Sequence, residues 1–310
     1  MPVQPVTLTG KKILVTGPTS QVAIPLLQQL CPIANVYALA RFSKQKDADK
    51  IASLGATIIK KDLASDSLAD IPDDFDYVLH FAVVKSGDFD YDLKANAIGT
   101  GRLIAHCKKA KAFLNVSTTG VYQYAGNKLL DENAPLGDNH RAMFPTYSIS
   151  KIAQETVARF AAQEHGVPLT IARLSVPYGD NGGWPYWHAV MMQNNMAVTV
   201  HPEQPNQYNP LHADDYCRHI PYLLAAATPE GTIVNWGSDQ VVSIEDWCAY
   251  ISELTGFEAK FDLQATAFGS LAADVSKLQA ILGDEPVSKV QWRDGVKRLL
   301  QHMAPQWLKT

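Results

Sequence analysis

The chain has 310 residues, room for two domains or one large one, and 46% of them are apolar, so a sizeable core can form. Lys plus Arg is 27 against 31 for Asp plus Glu, a net charge of −4 that lacks the basic surplus of a nucleic-acid binder. No apolar run approaches the ~18 residues of a membrane span, the polar start lacks the apolar stretch of a signal peptide, and the four cysteines (Cys31, Cys107, Cys217, Cys248) are too scattered for a disulfide framework or zinc site. The expectation is a cytoplasmic globular protein with reduced thiols and no metal.

In chain order, KILVT at Lys12–Thr16 reads as a buried strand. A turn, Gly17-Pro-Thr19-Ser20, leads into helical apolar spacing over 22–30. Strand patterns follow at Asn35–Ala40 and Thr57–Lys60, separated by a polar helix. Further strands fall at 76–81, 112–116 and Leu169–Leu174, with a helix over 96–109 between the first two. Strands alternating with helices predict βαβ units in an α/β, doubly wound parallel sheet. Beyond 177 the composition changes. Residues 180–207 are rich in Gly, Pro, Trp, Tyr and Asn and read as an irregular binding lobe. Helices over 213–227, 244–255 and 275–282 and a strand in GTIVNWG complete the pattern. The expected division is 1–178 plus about 212–236 as a cofactor-binding domain, with about 179–211 and 237–310 as an interleaved substrate lobe.

The turn after the first strand offers backbone N–H groups and a helix N-terminus to a pyrophosphate. Of a GxxGxxG pattern only Gly17 survives; Ser20 and Ala23 hold the other places. After the second strand, where an acid would bind a ribose 2′-OH, stand Arg41, Ser43 and Lys44. That basic turn favours NADP over NAD, although Arg41 can instead lay its flat guanidinium on adenine. Tyr147 and Lys151 are four apart, hence on one helix face, where a cation lowers a phenol's pKa and fits it for general acid/base work. Asn115–Tyr122 reads as a strand running into hydroxyls, and Thr118 can bond the same substrate oxygen as Tyr147.

These features, with KDL (61–63), HFAVVK (80–85), ARLSVPYG (172–179) and LHADD (211–215), resemble the extended short-chain dehydrogenase/reductase family, also called the NAD-dependent epimerase/dehydratase family. The resemblance implies a Rossmann-type sheet, an NAD(P) cofactor and a small-molecule substrate. It makes Tyr147 the general acid/base, Lys151 its tuning and ribose-holding partner, and Thr118 the catalytic hydroxyl. It sets Gly17, Thr19, Ser20, Gln21 and Val22 along the pyrophosphate, and Asp62 and Leu63 at the adenine. Phe81, Ala82, Val83 and Lys85 fall at the nicotinamide half, and HFAVVK is similar to UDP-galactose 4-epimerases. Asn96 and Ser117 match further family positions, and the backbone around Leu174 to Pro177, with Val176 between them, closes over the nicotinamide. A homodimer is implied, pairing helix 96–109 (Leu103, Ile104, Cys107) with the YxxxK helix (Ile152, Val157, Phe160).

The chain also departs from the family. Thr119-Gly120 follows the catalytic hydroxyl where the 4,6-dehydratases carry an acid, which argues against elimination of water. Val176 stands where sugar-nucleotide members have Asn, and Tyr208 where they have a diphosphate-gripping Arg. Trp184, Trp187 and His188, with Thr118, Thr119 and Tyr208, are the candidate substrate contacts in an apolar lobe. The leading expectation is a net oxidoreductase acting on a secondary alcohol or ketone of a non-nucleotide substrate. Its alternatives are an epimerase with trapped cofactor and a non-catalytic NADP-binding regulator.

Overall fold

The computed structural model describes residues 2–139 and 141–309. Six strands alternate with helices along the first part of the chain: β1 (Lys12–Thr16), β2 (Asn35–Ala40), β3 (Thr57–Lys60), β4 (Tyr77–His80), β5 (Ala112–Thr118) and β6 (Leu169–Leu174). With Thr232–Trp236 they form a seven-stranded sheet whose order runs Thr232–Trp236, β6, β5, β4, β1, β2, β3. Every pairing within it is parallel. The chain winds outward in both directions from β1, the doubly wound Rossmann topology expected.

The apolar strand runs are explained by burial on both faces. Ile13 and Val15 enter one core with Leu79 and Leu114, whereas Leu14 enters the opposite core with Val78 and Phe113. The first core is covered by α1 (Ala23–Leu30), α7 (Ala213–Ala225) and α9 (Ser276–Leu282). The second is covered by α4 (Gly99–His106) and α5 (Tyr147–His165), through Leu103, Ile104, Ala158, Ala161 and Ala162. Small residues let the last two helices approach closely: a Cβ built on Gly101 would lie 2.8 Å from Val157. A third core holds Tyr178, Met192, Trp247 and Leu299 beneath α6 (Trp184–Gln193), α8 (Ile244–Thr255) and α10 (Trp292–Met303).

Three expectations change. The helix read over 96–109 is α3 (Phe89–Leu93), a π-helical turn (Lys94–Ile98) and α4, which ends at His106. Such a turn inserts an extra residue and is found mostly at functional sites. The stretch 180–207 is not irregular throughout, because α6 lies within it, with Pro185 in its first turn. Leu103, Ile104 and Cys107 are wholly buried against the sheet, so they are not docking residues; the exposed apolar side chains here are Ile98 and Phe160. The cysteines are free, and no helix among the described residues is long and apolar enough to cross a membrane.

Candidate active site

Two clefts open at the carboxyl end of the sheet, one over the segments that follow β1, β2 and β3 and the other over the ends of β5 and β6. This is where open α/β sheets bind ligands. The first, about 290 Å³, is lined by Gly17, Thr19, Arg41, Lys44, Asp62, Leu63, Ala82, Val83 and Asn96 among others. Gly17 has φ 66°, and a Cβ there would lie 2.8 Å from Ala82 Cα and N. The turn after β1 therefore packs directly on the end of β4, and only glycine fits. Ser20 Oγ accepts a hydrogen bond from Ala23 N (3.2 Å), so its hydroxyl starts α1. Phe42 adopts φ 42°, unusual for a bulky residue, and buries its ring in the first core while its neighbours line the cleft. Arg41 donates to the Tyr91 hydroxyl (2.8 Å), which in turn donates to Asp62 Oδ2 (2.8 Å). The basic turn thus faces a carboxylate across the cleft rather than standing alone.

Asn96, on the π-helical turn, pins the chain after β4. Its side chain accepts from Val84 N (2.7 Å) and donates to Val84 O (2.6 Å) and Ser150 Oγ (3.0 Å). Asp92, buried on α3, accepts from Ser86 Oγ (2.7 Å) and from Thr146 Oγ1 (2.6 Å), just before α5. Burial opposes its charge, but those hydrogen bonds hold its carboxyl below the usual range. The loop carrying Lys85 and the start of α5 are thereby fixed to each other.

The second cavity, also about 290 Å³, is lined by Gln21, Lys85, Thr118, Thr119, Tyr147, Val176, Pro177, Trp184, Trp187 and Tyr208, and by Phe144, Phe268 and Leu271. The Tyr147 and Thr118 side chains share a hydrogen bond. Thr118 Oγ1 also accepts from Gly120 N (3.0 Å). Burial raises the Tyr147 pKa and the Thr118 bond only partly offsets it, which corrects the expected lowering. The Lys151 ammonium is buried and donates to Val116 O (2.8 Å) and Gln154 Oε1 (2.9 Å). Desolvation lowers its pKa to about 7 against the pull of Glu155, so its cationic character is weak in the cofactor-free protein. Lys85 Nζ sits 4.1 Å from the Phe144 ring centroid and 5.8 Å from that of Tyr147. Gln21 Nε2 donates to Gly182 O (3.2 Å), linking the turn after β1 to the far wall.

Several expected residues face elsewhere. Phe81 and Leu174 are core side chains, and Val22 packs against the same core. Ser117 Oγ donates to Glu155 Oε1 (2.5 Å), because successive residues on β5 point to opposite faces. His188 accepts from Trp247 Nε1 (2.8 Å) and stacks on that ring; burial lowers its pKa to about 4, so it is a neutral packing group outside the cavity lining.

Sequence reasoning missed a buried polar network behind the site. Gln154 Nε2 donates to Thr100 Oγ1 (3.0 Å) and lies 3.1 Å from His80 Nε2. His80 Nδ1 meets Thr16 Oγ1 (2.7 Å) beside Gly17. Burial, then Lys151, lowers the His80 pKa to about 3, keeping the ring neutral. Lys151 is thus tied through Gln154 and His80 to the turn after β1. A second device is the buried Glu155–Arg173 pair (2.8 Å), with Arg173 also donating to Glu132 O (3.0 Å). A buried residue one turn beyond Lys151, such as Glu155 or Gln154, was the available signal.

The chain belongs to the NAD dependent epimerase/dehydratase family, whose model matches residues 13–237. Among curated relatives, human dTDP-D-glucose 4,6-dehydratase is 23% identical, over 94% of this chain and 89% of its own length. An uncharacterized UDP-glucose epimerase, YtcB, of Bacillus subtilis is 22% identical over 80% of each chain. Among solved structures, UDP-glucuronic acid 4-epimerase from Bacillus cereus, in complex with UDP-glucuronic acid and NAD, superposes with a TM-score of 0.80 at 21% identity, covering 96% of this chain and 100% of that one. MoeE5 in complex with UDP-glucose and NAD gives 0.78 at 21% identity, over 95% and 99%. The protein is an enzyme of the extended short-chain dehydrogenase/reductase type.

Proposed function

We propose that the protein transfers a hydride between NAD and the carbinol or carbonyl carbon of a small substrate, with Tyr147 as general acid/base. The observation that carries this reading is the Tyr147–Thr118 hydroxyl pair in the wall of the second cavity, with Lys151 one helical turn behind. The cleft fits a dinucleotide: the turn at Gly17 abuts the end of β4, Asp62 supplies an acceptor and Leu63 an apolar wall. NAD supplies or accepts the hydride when bound. Gly17, Thr19, Asp62, Leu63 and Val83 would hold it, Asn96 would hold the Val84 loop, and Lys151 would reach the ribose. In reduction, Thr118 and Tyr147 hydrogen-bond the substrate carbonyl oxygen, and Tyr147 gives up its proton as negative charge develops there. Oxidation of the alcohol is the reverse.

NAD replaces the NADP favoured from the basic turn. Arg41 is engaged by the Tyr91 hydroxyl, which itself donates to Asp62, so an acidic group stands in the cleft, and the solved relatives described above hold NAD. A dehydratase is disfavoured, since no Asp or Glu is among the described residues lining the second cavity. A homodimer through the exposed Ile98, at the end of the π-helical turn, and Phe160, on α5, completes the reading.

The second reading is an epimerase that oxidises and re-reduces one carbon with retained cofactor. The epimerases among the relatives favour it. Denaturing freshly purified protein and quantifying the released nucleotide separates the two. The net oxidoreductase predicts a largely empty protein that then binds added NAD in preference to NADP. Near-stoichiometric retained nucleotide would support the epimerase, and retained NADP would overturn the cofactor assignment.

A further inference from the structure

We propose that the substrate is a small aryl ketone or aryl secondary alcohol bearing no diphosphate. This deepens the hydride-transfer reading above and rests on it.

The first ground is charge. Between Arg173 and Arg218, which spans most of the wall facing Tyr147, the sequence has no lysine or arginine; nor has it any between Arg218 and Lys260, or between Lys260 and Lys277. Cations of the later segments are engaged elsewhere: Lys260 on Asn195 (2.7 Å), Lys289 on Glu285 (2.8 Å), Arg293 on Glu253 (3.4 Å) and Arg298 on Asp180 and Asp214 (2.8 Å each). Among the described residues lining the cavity, Lys85 is the one cation, and its ammonium lies over the Phe144 ring. A diphosphate needs several charge-assisted donors, and a partly desolvated site without them rejects it.

The second ground is shape. Tyr208 does not merely lack an arginine's charge. Its buried hydroxyl donates to Gly269 O (2.8 Å) and lies 3.3 Å from Phe268 O, which ties the segment carrying Phe268 across the cavity. A Cβ on Gly269 would lie 2.2 Å from the Tyr124 ring, so this segment is clamped from its other side too. Phe268 is thereby stacked on Trp184, with centroids 5.9 Å apart and planes within 9°. Phe144 bridges Phe268 (6.0 Å) to Tyr147 (6.2 Å), so aromatic rings run without a break from the acid/base phenol to the rear wall. Trp187 stands at the rim, 62% exposed. Flat apolar faces of this kind favour an aromatic ring offset-stacked or edge-on. The volume, about 290 Å³, is at the small end of the ~300–1,000 Å³ of ligand pockets.

The chemistry balances with the cofactor class already named: hydride adds to the carbonyl carbon, the Tyr147 proton goes to the oxygen, and reduced nicotinamide becomes oxidised.

The test uses the full chain loaded with NAD, which cannot reduce a ketone, and acetophenone as probe, read by saturation-transfer NMR, with UDP-glucose and dTDP-glucose as competitors. Saturable acetophenone binding that neither nucleotide sugar displaces is expected. Trp187→Ala, at an exposed position, should weaken that binding at least ~tenfold while NAD affinity stays unchanged. Displacement by either nucleotide sugar, absence of saturable acetophenone binding, or unchanged binding in Trp187→Ala overturns the proposal. Tyr147→Phe separates the two layers. If acetophenone binds but Tyr147→Phe reduces it at the wild-type rate, the acid/base assignment fails while the substrate class stands. If Tyr147→Phe abolishes turnover of a nucleotide sugar, the reaction reading stands and the substrate class fails.

Discussion

At the scale of residues, the site depends on burial as much as on spacing. Lys151 and Tyr147 share a helix face as their spacing dictates, yet burial disfavours the charged form of both. The Lys151 pKa falls from 10.5 to about 7 because its ammonium is desolvated. Between those values the unfolded chain binds more protons at this residue than the folded one, so this group makes stability rise with pH from about 7 to 10.5. Urea unfolding of the cofactor-free protein across that range should show the slope, and Lys151→Met should flatten it; an unchanged slope would contradict the assignment. Thr118→Val removes one donor to the developing oxyanion and should lower kcat by ~10²-fold with cofactor affinity kept, as steady-state kinetics and cofactor titration would show. The Tyr147, Lys151 and Thr118 positions were legible because fixed spacing within one helix or strand determines which residues share a face. Ser117, Phe81 and His188 were not. Each lies beside a cavity residue in sequence or in a cavity-lining segment, and a one-residue step along a strand reverses the face.

At the scale of elements, the turn after β1 shows why one glycine is kept when two are replaced. Ser20 and Ala23 begin α1, where a Cβ is harmless, but Gly17 combines φ 66° with backbone contact to Ala82. Gly17→Ala should cost about 1–3 kcal/mol of stability and also weaken NAD binding, read by thermal unfolding with and without NAD. A fully stable variant with normal NAD affinity would refute the close-approach argument. The strands were legible because double burial makes them short β-branched runs. The π-helical turn was hidden because its cause is the distant Val84 loop held by Asn96. Helix α6 was hidden because its aromatic residues serve both a core and a cavity wall, which erases a one-sided apolar pattern.

At the scale of the whole molecule, helix α5, strand β6 and the segment carrying Glu132 meet at the Glu155–Arg173 pair. Both side chains are nearly inaccessible, so Arg173→Leu leaves a buried carboxylate without its cation and should destabilise the protein by about 3–5 kcal/mol; an unaltered urea midpoint would contradict that role. Phe160 is 68% exposed on α5, so on the proposed homodimer reading Phe160→Glu should lower the mass found by light scattering without unfolding the chain, and an unchanged mass would contradict that interface. Asp215 accepts from Lys289 N (2.9 Å) and Val290 N (3.0 Å), partners so far along the chain that the LHADD segment alone does not reveal them. The central claim is that one phenol moves the proton accompanying hydride transfer. Its most direct test is the appearance of reduced nicotinamide with a secondary alcohol in wild type and in Tyr147→Phe. The account predicts a loss of at least ~10²-fold in kcat with NAD affinity intact; turnover at the wild-type rate in Tyr147→Phe would contradict it.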